Sequence, residues 1–512
     1  MKELIHNGIL IPKYEPKGFS INIQDKKIAL TPEQEEMAVA WVKKLETDYA
    51  KDPVFVKNFF TDFRKAMGED ENTPPEQFDF KEIIDYVQKD KAAKASLSKE
   101  EKKRQAEERK KKREENKEKY GYATIDDVRT EIGAYMAEPS SIFMGRGQHP
   151  LRGRWKQGPK ESDIILNYHS KNPSDPSKPA KPPGNWKDVV WQEEDMWIAK
   201  WDDKLRGKEK YVWVADTCFL KQENDIQKFN KAKELNKNIA KVLKHIEKNL
   251  LSADVMRRKV ATVSYLIDAL KLRVGDEKDE DEADTVGATT LRPEHIRFEN
   301  DGWTTFDFLG KDAVRWEKRI QLPPLVVQNM KQFIADAKST IFEGVRSNQV
   351  TAFLNEAMPD LTAKVFRTYH ATKVVNEYLD KAKVSASEPE FVKKHVAMEA
   401  NLQAAIVCNH KRKIPKTWEE SLVKKQERLK TLTEATKAKE TEAKKKNLEK
   451  LKLKIEETRE TKEYNLRTSL KSYIDPRVYV DWGKKVDFDW KLYYPKTFQR
   501  KFSWVEPGLK CE

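Results

Sequence analysis

The sequence predicts an α+β multidomain protein that is mainly helical and carries small β-sheets. Its 512 residues exceed what one compact core accommodates, so we expect two to four domains. Apolar residues at three- and four-residue steps alternate with short runs rich in β-branched and aromatic residues, which favours helices interrupted by strands. Hydrophobic residues make up 38% of the chain, with 13 Trp, 16 Tyr and 21 Phe, which is enough to bury several cores.

The N-terminal part of the chain is predicted to be largely helical. The segment 31–67 opens with Thr31 as a helix N-cap followed by Pro32 at the first helical position. Aromatic residues at helical spacing between Phe55 and Phe63 are expected in a core. Residues 99–119 are nearly all charged, and their alternating blocks of Lys/Arg and Glu predict an exposed helix with i,i+4 pairs.

Strand-like patterns follow in two places, with helical spacing between and after them. A β-rich segment is predicted over 141–214, with strands at 163–168, 189–191 and 211–214. Residues 286–320 indicate short strands, in which 304–308 pairs with 314–316 in a hairpin whose turn contains Gly310 and Asp312. Helical spacing is found at 221–272 and 324–407.

The stretch 416–475 contains neither Gly nor Pro and is rich in Lys and Glu. Leu422 and Leu429 lie seven residues apart, as do Leu448 and Ile455, which predicts a long amphipathic helix or two helices folded into a hairpin. The centre of the stretch is so polar that we expect it to protrude into solvent. The aromatic residues that follow, from 465 to 512, predict a compact C-terminal region.

The charge balance favours an anionic partner. Lys plus Arg number 99 against 85 Asp plus Glu, a formal net charge of +14, which suits nucleic acid or an anionic membrane surface. An ordinary soluble protein with Lys-rich helices is the alternative. The three Cys are far apart and form no CxxC pair, so we expect neither a zinc site nor a disulfide framework, and we expect a reducing, intracellular compartment.

Several function classes are disfavoured by missing sequence patterns. The chain has no GxxxxGK[ST] loop for ATP and no HExxH or paired-carboxylate motif for a metal, so no cofactor is expected. No stretch approaches the roughly 20 apolar residues of a membrane span, and no secretory signal is visible at the N-terminus. What stands out instead is a set of basic residues in distinctive local contexts, followed by a tyrosine: Arg273, Lys311, Arg367, His410 and Tyr473.

The order and contexts of these residues resemble the eukaryotic-type DNA topoisomerase IB family, over essentially the whole chain. Each motif alone is weak evidence for the family, whereas the occurrence of all of them in the family's order is specific. The motifs are Gly145-Arg146-Gly147-Gln148-His149-Pro150, Asp284-Thr285-Val286-Gly287, Phe306-Asp307-Phe308-Leu309-Gly310-Lys311-Asp312, Leu361-Thr362-Ala363-Lys364-Val365-Phe366-Arg367-Thr368-Tyr369 and Tyr473-Ile474-Asp475-Pro476-Arg477.

The resemblance implies transient cleavage of one DNA strand. Tyr473 would attack a phosphodiester and become joined to the 3′-phosphate, which conserves the bond energy for resealing without ATP. Arg273 and Arg367 would bind the non-bridging oxygens, because guanidinium is always charged and offers a planar fork of donors. His410 would add a hydrogen bond, and Lys311 would protonate the leaving 5′-oxygen.

Each of these residues also has an ordinary structural interpretation. Taken alone, Arg273 and Arg367 read as helix-surface cations, Lys311 as a turn residue, His410 as a helix C-terminal cation and Tyr473 as a buried aromatic. Four further residues resemble DNA-proximal positions of the family, against the alternative of plain phosphate positioning or turn structure. They are Arg146, Lys156, Asp312 and Lys364.

The chain departs from the family pattern next to the tyrosine and at the N-terminus. Family members usually read Ser-Lys-Leu-Asn before the tyrosine, whereas this chain has Ser469-Leu470-Lys471-Ser472, which puts sensitivity to drugs that trap the nicked complex in doubt. The long charged N-terminal extension of nuclear members is missing, which fits a compact, archaeal-like or trimmed form. A DNA-associated location is expected, in the cytoplasm or nucleoid if archaeal and in the nucleus if eukaryotic.

Two rival functions stay open on the sequence alone. A tyrosine recombinase uses a similar residue set, but typically has His where this chain has Lys364 and lacks an insert such as the one between His410 and Tyr473. A non-catalytic DNA clamp with a coiled-coil arm is the other.

The resemblance implies a clamp that encircles duplex DNA, with a protruding helical linker, in a chain for which a monomer is the simplest expectation. The predicted domains are 1–17 with 104–217 as a core subdomain with the β-rich part, 18–103 as a cap, 218–412 as the catalytic core, 413–462 as the linker, and 463–512 as the C-terminal domain with the tyrosine.

Overall fold

A computed structural model describes residues 1–24, 26–145, 147–175, 178, 180–275, 286–310 and 314–506. Packing divides them into two compact units, Met1–Lys221 and the described residues from Gln222 onward. Fifteen helices and fifteen short strands within these ranges confirm the predicted α+β multidomain class. The finer division into cap, core, linker and C-terminal domain stays a prediction.

The first unit combines four helices with small sheets. Its helices are α1 (Pro32–Val42), α2 (Pro53–Met67), α3 (Lys81–Ser96) and α4 (Lys99–Tyr120), with short 3₁₀ turns at Asp48–Lys51, Pro75–Gln77 and Glu161–Asp163. Its strands are β1 (Leu4–His6), β2 (Ser20–Ile23), β3 (Lys26–Ala29), β4 (Phe78–Asp79), β5 (Tyr122–Ile125), β6 (Val128–Glu131), β7 (Ser141–Ile142), β8 (Trp155–Lys156), β9 (Ile165–Asn167), β10 (Asp188–Val190), β11 (Trp197–Asp202) and β12 (Glu209–Trp213).

The strands of this unit form four small sheets. Three-stranded sheets have the orders β1-β5-β6 and β3-β2-β4, β7 pairs with β8, and the fourth sheet has the order β10-β9-β11-β12. Only β9 and β10 are parallel among these pairings, which are otherwise antiparallel. The β-rich character predicted for 141–214 is confirmed.

The predicted helix features of this unit are also confirmed. Thr31 caps α1, its hydroxyl accepting from Gln34 N–H while the Gln34 side chain bonds back to the Thr31 backbone. Phe55, Phe59, Phe60 and Phe63 lie on one face of α2 and are buried in one hydrophobic core. Helix α4 buries none of its side chains, as its composition predicted.

The second unit is mainly helical. Its helices are α5 (Phe219–Asn249, whose first residues belong to the first unit), α6 (Val255–Leu270), α7 (Pro324–Ala335), α8 (Ser347–Asn355), α9 (Ala363–Lys381), α10 (Glu390–Val407), α11 (Trp418–Ala438), α12 (Glu442–Glu460), α13 (Leu466–Ser472), α14 (Arg477–Val486) and α15 (Lys496–Lys501). Short 3₁₀ turns lie at Pro293–His295, Asn300–Gly302, Trp490–Leu492 and Ser503–Val505.

One antiparallel sheet accompanies these helices, with the order β13-β14-β15. Its strands are β13 (Ile296–Phe298), β14 (Trp303–Gly310) and β15 (Val314–Gln321), and Phe308 pairs with Trp316. This is the predicted hairpin, although its turn at 311–313 lies outside the described residues.

Helix α9 lies between the two hydrophobic cores of this unit. Phe366 and Tyr369 pack in the core that includes α6, α8 and the sheet, whereas Ala371 and Val375 pack in the core that includes α10 and α14. Burial on both sides fixes the axis and rotation of α9, because apolar side chains enter two separate cores. Side chains on α9 are therefore held on a rigid element.

The Gly- and Pro-free stretch forms two helices, which settles the alternative left open by its sequence. Helices α11 and α12 pack side by side, with the Trp418 indole donating to the Thr458 carbonyl at 3.0 Å and the Lys425 ammonium donating to the Thr458 hydroxyl at 2.8 Å. None of the α11 residues is buried, and Ile455 is the buried residue of α12. Among the described residues, no helix is long and apolar enough to cross a membrane.

Candidate active site

Tyr473 is the first residue after the short helix α13. Asn465 caps the start of that helix by accepting from Arg467 N–H at 3.1 Å, and Tyr473 N–H donates to the Ser469 carbonyl at 2.9 Å. The helix then ends, because Pro476 provides no N–H and disfavours helical backbone in the residue before it. Tyr473 is thereby placed at a helix end rather than on a long helix face.

Arg367 lies beneath the ring of Tyr473. It is buried in α9, with 5% of its surface exposed, and its guanidinium carbon is 5.0 Å from the centroid of the Tyr473 ring. One Nη donates to the Cys408 carbonyl at 2.9 Å, and the other donates to the Lys271 carbonyl. Backbone carbonyls therefore hold this cation in place without neutralising it.

Arg273 approaches the same tyrosine from the loop after α6. The helix ends at Leu270. The next residue, Lys271, has a left-handed backbone with φ of 57°, and the chain then turns to present Arg273. Arg273 is exposed, and its Nη2 lies 3.5 Å from the Tyr473 hydroxyl oxygen. This contact sits at the outer limit of a hydrogen bond.

Gly275 and Gly287 hold this loop in position. Gly275 has φ of 82°, and a Cβ on it would lie 2.8 Å from the Gly287 Cα. The close approach allows Ala288 N–H to donate to the Arg273 carbonyl at 2.8 Å. The glycines are therefore required by backbone proximity next to Arg273.

His410 completes the group around Tyr473. Its ring centroid is 5.0 Å from that of Tyr473, and its Nε2 accepts from Arg367 Nη2 at 3.2 Å. Burial, reinforced by the positive charges of Arg367 and Arg273, lowers the pKa of His410 to about 3. The imidazole is therefore neutral at pH 7, which matches its role as acceptor from Arg367.

The two arginines also act on the Tyr473 hydroxyl. Burial raises the pKa of this phenol, but the positive charges of Arg367 and Arg273 and their hydrogen bonds outweigh burial, so the net pKa is below the ordinary value. A lowered pKa favours the phenolate, which is the nucleophilic form. The site can thus stabilise negative charge both on the tyrosine oxygen and next to it.

Two buried nitrogen atoms in this group have no partner among the described residues: Nε of Arg367 and Nδ1 of His410. Buried donors are rarely left unpaired in native structures. Their presence beside Tyr473 indicates a site that is built to receive a further hydrogen-bonding group.

Of the five remaining predicted residues, two lie within the described part of the chain, Lys364 and Lys156. Lys311, Asp312 and Arg146 lie outside the described residues. Lys364 is exposed in the first turn of α9, one turn before Arg367. In the first unit, Lys156 is buried and pairs with Glu138 and, at 3.3 Å, with Asp203. The catalytic role of Lys311 and the DNA-contact roles of the other four residues stay predictions.

The sequence reasoning missed the residues that hold α13. Asn401 is fully buried in α10, and its amide donates to the Leu466 carbonyl at 3.1 Å and to the Tyr493 hydroxyl at 2.8 Å. Its side-chain oxygen accepts from the Ser469 hydroxyl at 2.7 Å. The sequence does place an Asn in the middle of an apolar helical stretch. This pattern could have indicated a buried amide with side-chain or backbone partners, because a buried amide needs hydrogen bonds.

Comparison with known families agrees with this arrangement. Residues 1–214 match the family described as "Eukaryotic DNA topoisomerase I, DNA binding fragment", 217–445 match "Eukaryotic DNA topoisomerase I, catalytic core" and 445–510 match "C-terminal topoisomerase domain". Together these matches cover nearly the whole chain in the family's order.

Curated relatives show the same similarity. The chain is 35% identical to DNA topoisomerase 1 beta of Arabidopsis thaliana (99% of this chain and 59% of the relative) and 35% identical to DNA topoisomerase 1 of Drosophila melanogaster (98% and 54%). It is 33% identical to DNA topoisomerase 1 of Homo sapiens, with 98% of this chain and 70% of that relative covered. The chain thus spans a little over half the length of the Arabidopsis and Drosophila relatives. On these matches, the chain belongs to the eukaryotic DNA topoisomerase I family.

Proposed function

We propose that this protein is a type IB DNA topoisomerase that relaxes supercoiled DNA through a transient 3′-phosphotyrosyl bond at Tyr473. The observation that carries the proposal is the convergence of Arg273, Arg367 and His410 on one phenol. Family membership supports the same activity.

The proposed cleavage step exchanges one phosphoester bond for another. The Tyr473 oxygen attacks phosphorus as its phenolic proton passes to solvent water, the phosphorus–tyrosine bond forms, and the bond to the 5′-oxygen breaks. The 5′-oxygen takes a proton, which we assign to Lys311, and resealing reverses each change. Arg273 and Arg367 stabilise the charge that builds on the non-bridging oxygens, so we expect neither ATP nor a metal to be needed.

Duplex DNA is the proposed substrate and partner. In the proposed mechanism, the free 5′ end rotates under the torsion of the supercoil while the chain encircles the duplex as a monomeric clamp. The net charge of +14 supports DNA binding that weakens steeply with salt, because each neutralised phosphate releases counterions. We propose a DNA-associated location in the cell.

Relaxation of supercoiled plasmid in EDTA without ATP tests the proposal. Wild type should relax both positive and negative supercoils, and Tyr473→Phe should bind DNA without relaxing it. No relaxation by wild type would overturn the proposal. The remaining functions would then be a tyrosine recombinase, which a strand-exchange assay tests, and a non-catalytic DNA clamp. Relaxation by both proteins would place the nucleophile on another tyrosine.

The role of Lys311 needs a separate experiment, because it concerns the leaving group. Lys311→Ala should slow cleavage of an ordinary duplex by about 10²- to 10⁴-fold, the usual contribution of a general acid. A substrate with sulfur in place of the 5′-bridging oxygen has a leaving group that needs no proton. It should restore the rate of Lys311→Ala, and equal slowing on both substrates would exclude proton donation by Lys311.

A further inference from the structure

Thr372 bridges helix α9 and the backbone that follows α13. Its hydroxyl donates to the Tyr473 carbonyl at 3.2 Å and accepts from Asp475 N–H at 3.1 Å. A hydroxyl has one donor and two acceptor positions, so one side chain serves both backbone groups. The bridge spans 101 positions in the sequence on one side and 103 on the other.

The two backbone groups lie where helix α13 can no longer provide partners. Carbonyls in the last turn of a helix have no intrahelical donor, and Pro476 prevents the helix from continuing. Tyr473 has left the helical conformation, with φ of −125° and ψ of −25°. Thr372 therefore provides the Tyr473 carbonyl with a hydrogen bond that α13 does not supply.

Thr372 and Arg367 belong to the same helix, and both contact Tyr473. Arg367 lies under the ring, and Thr372 holds the backbone of the same residue. The two positions are separated by five residues, about 7.5 Å along the axis. The Thr372 side chain is restricted at χ1, and its two hydrogen bonds fix the direction of the hydroxyl. Helix α9 thus determines where the tyrosine backbone lies relative to the cation beneath its ring.

We propose that Thr372 is a positioning residue for the nucleophile, which sets the reach of the Tyr473 hydroxyl towards Arg273, Arg367 and the reacting phosphate. The inference rests on the proposed function of Tyr473. It deepens that function, because the hydroxyl of Thr372 acts on the reaction only through the backbone of Tyr473. The lowered pKa of Tyr473 depends on the same placement beside the two arginines.

Thr372→Val is the informative variant, because it keeps the branched shape and removes both hydrogen bonds. Thr372→Ser keeps the hydroxyl, and Thr351→Val is a matched control, because the Thr351 hydroxyl bonds within its own helix to the Ser347 carbonyl at 3.0 Å. The rate of covalent-complex formation is measured under single turnover at saturating duplex, on a substrate whose short cleaved strand dissociates so that resealing is prevented.

We expect Thr372→Val to slow cleavage by about 10- to 100-fold, since a misplacement of about 1 Å can cost 10²-fold. DNA affinity should stay within about twofold of wild type, because a misplaced nucleophile does not change ground-state binding. The alkaline rise of the cleavage rate should move to higher pH, since the phenol then lies farther from the arginines. Thr372→Ser should restore most of the rate, and Thr351→Val should match wild type.

Several results would overturn the inference. Cleavage by Thr372→Val at the wild-type rate would show that the bridge is dispensable, and equal slowing by Thr372→Ser would assign the effect to the lost methyl group. If the Thr372→Val variant cleaves slowly but keeps the wild-type pH profile, Thr372 has a structural role and does not place the nucleophile.

If Thr372→Val lowers the melting temperature by more than about 5 °C, Thr372→Ala is used in its place.

The proposed function and this inference fail in different ways. Absence of a covalent complex with wild-type protein removes both. A wild-type complex that is lost in Tyr473→Phe but unchanged in Thr372→Val removes only the role of Thr372.

Discussion

The guanidinium of Arg367 lies under the aromatic ring of Tyr473, 5.0 Å from its centroid, and is held there by the carbonyls of Lys271 and Cys408. Within the described ranges, no carboxylate lies within ion-pair distance of this buried cation. A buried positive charge without a counterion is unfavourable unless a ligand supplies the negative charge. The pairing of Arg367 with Tyr473 therefore fits a site that is completed by an anionic phosphate.

Removal of Arg273 should change the pH dependence of cleavage. Its positive charge lowers the pKa of Tyr473, so Arg273→Gln should raise that pKa and move the alkaline rise of the single-turnover cleavage rate to higher pH. The maximal rate should also fall by about 10²- to 10³-fold, because one donor to the phosphate is lost. Arg412→Gln, which removes an exposed cation two residues after His410, is the control and should retain the wild-type pH profile. A uniform drop in rate at every pH would contradict the electrostatic coupling.

The buried imidazole of His410 should make folding stability depend on pH. Its pKa is about 3 in the folded protein and about 6.5 when unfolded, so the unfolded chain binds the proton more readily below pH 6.5. The contribution to stability is therefore fully present above pH 6.5 and is lost progressively as the pH falls towards 3. Its slope is about 1.4 kcal/mol per pH unit in that window.

The comparison that isolates His410 uses His410→Gln, in which this titration is absent. Unfolding of both proteins should be followed between pH 4.5 and 7.5, and the variant should show the weaker loss of stability on acidification. Parallel curves for the two proteins would mean that His410 takes up a proton as readily in the folded protein as in the unfolded chain.

Replacement of Asn401 should destabilise the segment that carries the tyrosine. Asn401→Ala leaves the Ser469 hydroxyl, the Leu466 carbonyl and the Tyr493 hydroxyl without the amide that bonds all three. We expect a loss of about 2–4 kcal/mol in the free energy of unfolding, since each buried group left unpaired costs about 1–3 kcal/mol. Asn376→Ala is the control, because its amide makes an exposed bond to Asp380. A similar small change in both variants would show that the Asn401 bonds are readily replaced.

The aromatic core of the first unit should be sensitive to truncation. Phe59 is fully buried, stacks on Trp41 with ring centroids 4.6 Å apart, and lies 5.5 Å from Phe63. Phe59→Ala should lower the free energy of unfolding by about 3–5 kcal/mol through lost burial and the cavity that remains. Val54→Ala on the exposed side of the same helix should change it by less than about 1 kcal/mol. Calorimetry should show the shift, and a stable Phe59→Ala would indicate that the core collapses to fill the space.

Local features of the fold were predictable because their physical causes are local. Thr31 and Gln34 stand three residues apart and cap one helix, and the pairing of 304–308 with 314–316 follows from a short turn. The choice between one helix and two at 416–475 was not predictable. The polar residues around 439–441 include no residue that strongly disfavours a continuous helix. The pairing of α11 with α12 is fixed by contacts between distant residues, such as Trp418 with Thr458.

The site required information that local patterns do not contain. Arg273 and Tyr473 are 200 positions apart, and nothing in their immediate neighbours indicates that they meet. Their selection came from the resemblance, not from spacing. The carbonyl of Lys271, which bonds Arg367, and the hydroxyl of Thr372 were missed, because a backbone acceptor has no residue type and a helical Thr ordinarily bonds its own helix.

The position of α9 between two cores has a consequence for how the site responds to disturbance. We expect a side chain lost from the core shared with α6 and α8 to shift α9 as one body, so that Arg367 and Thr372 move together. Such a shift moves both residues that contact Tyr473 by the same amount, so the position of Arg367 relative to Thr372 stays nearly constant. The cleavage rate should suffer when α13 moves relative to α9, because Tyr473 then changes its position relative to Arg367 and Thr372. Loss of activity should therefore result mainly from changes in the contacts between those two helices. Substitutions deep in the core shared with α6 and α8 should reduce the melting temperature before they reduce the rate of cleavage per folded molecule.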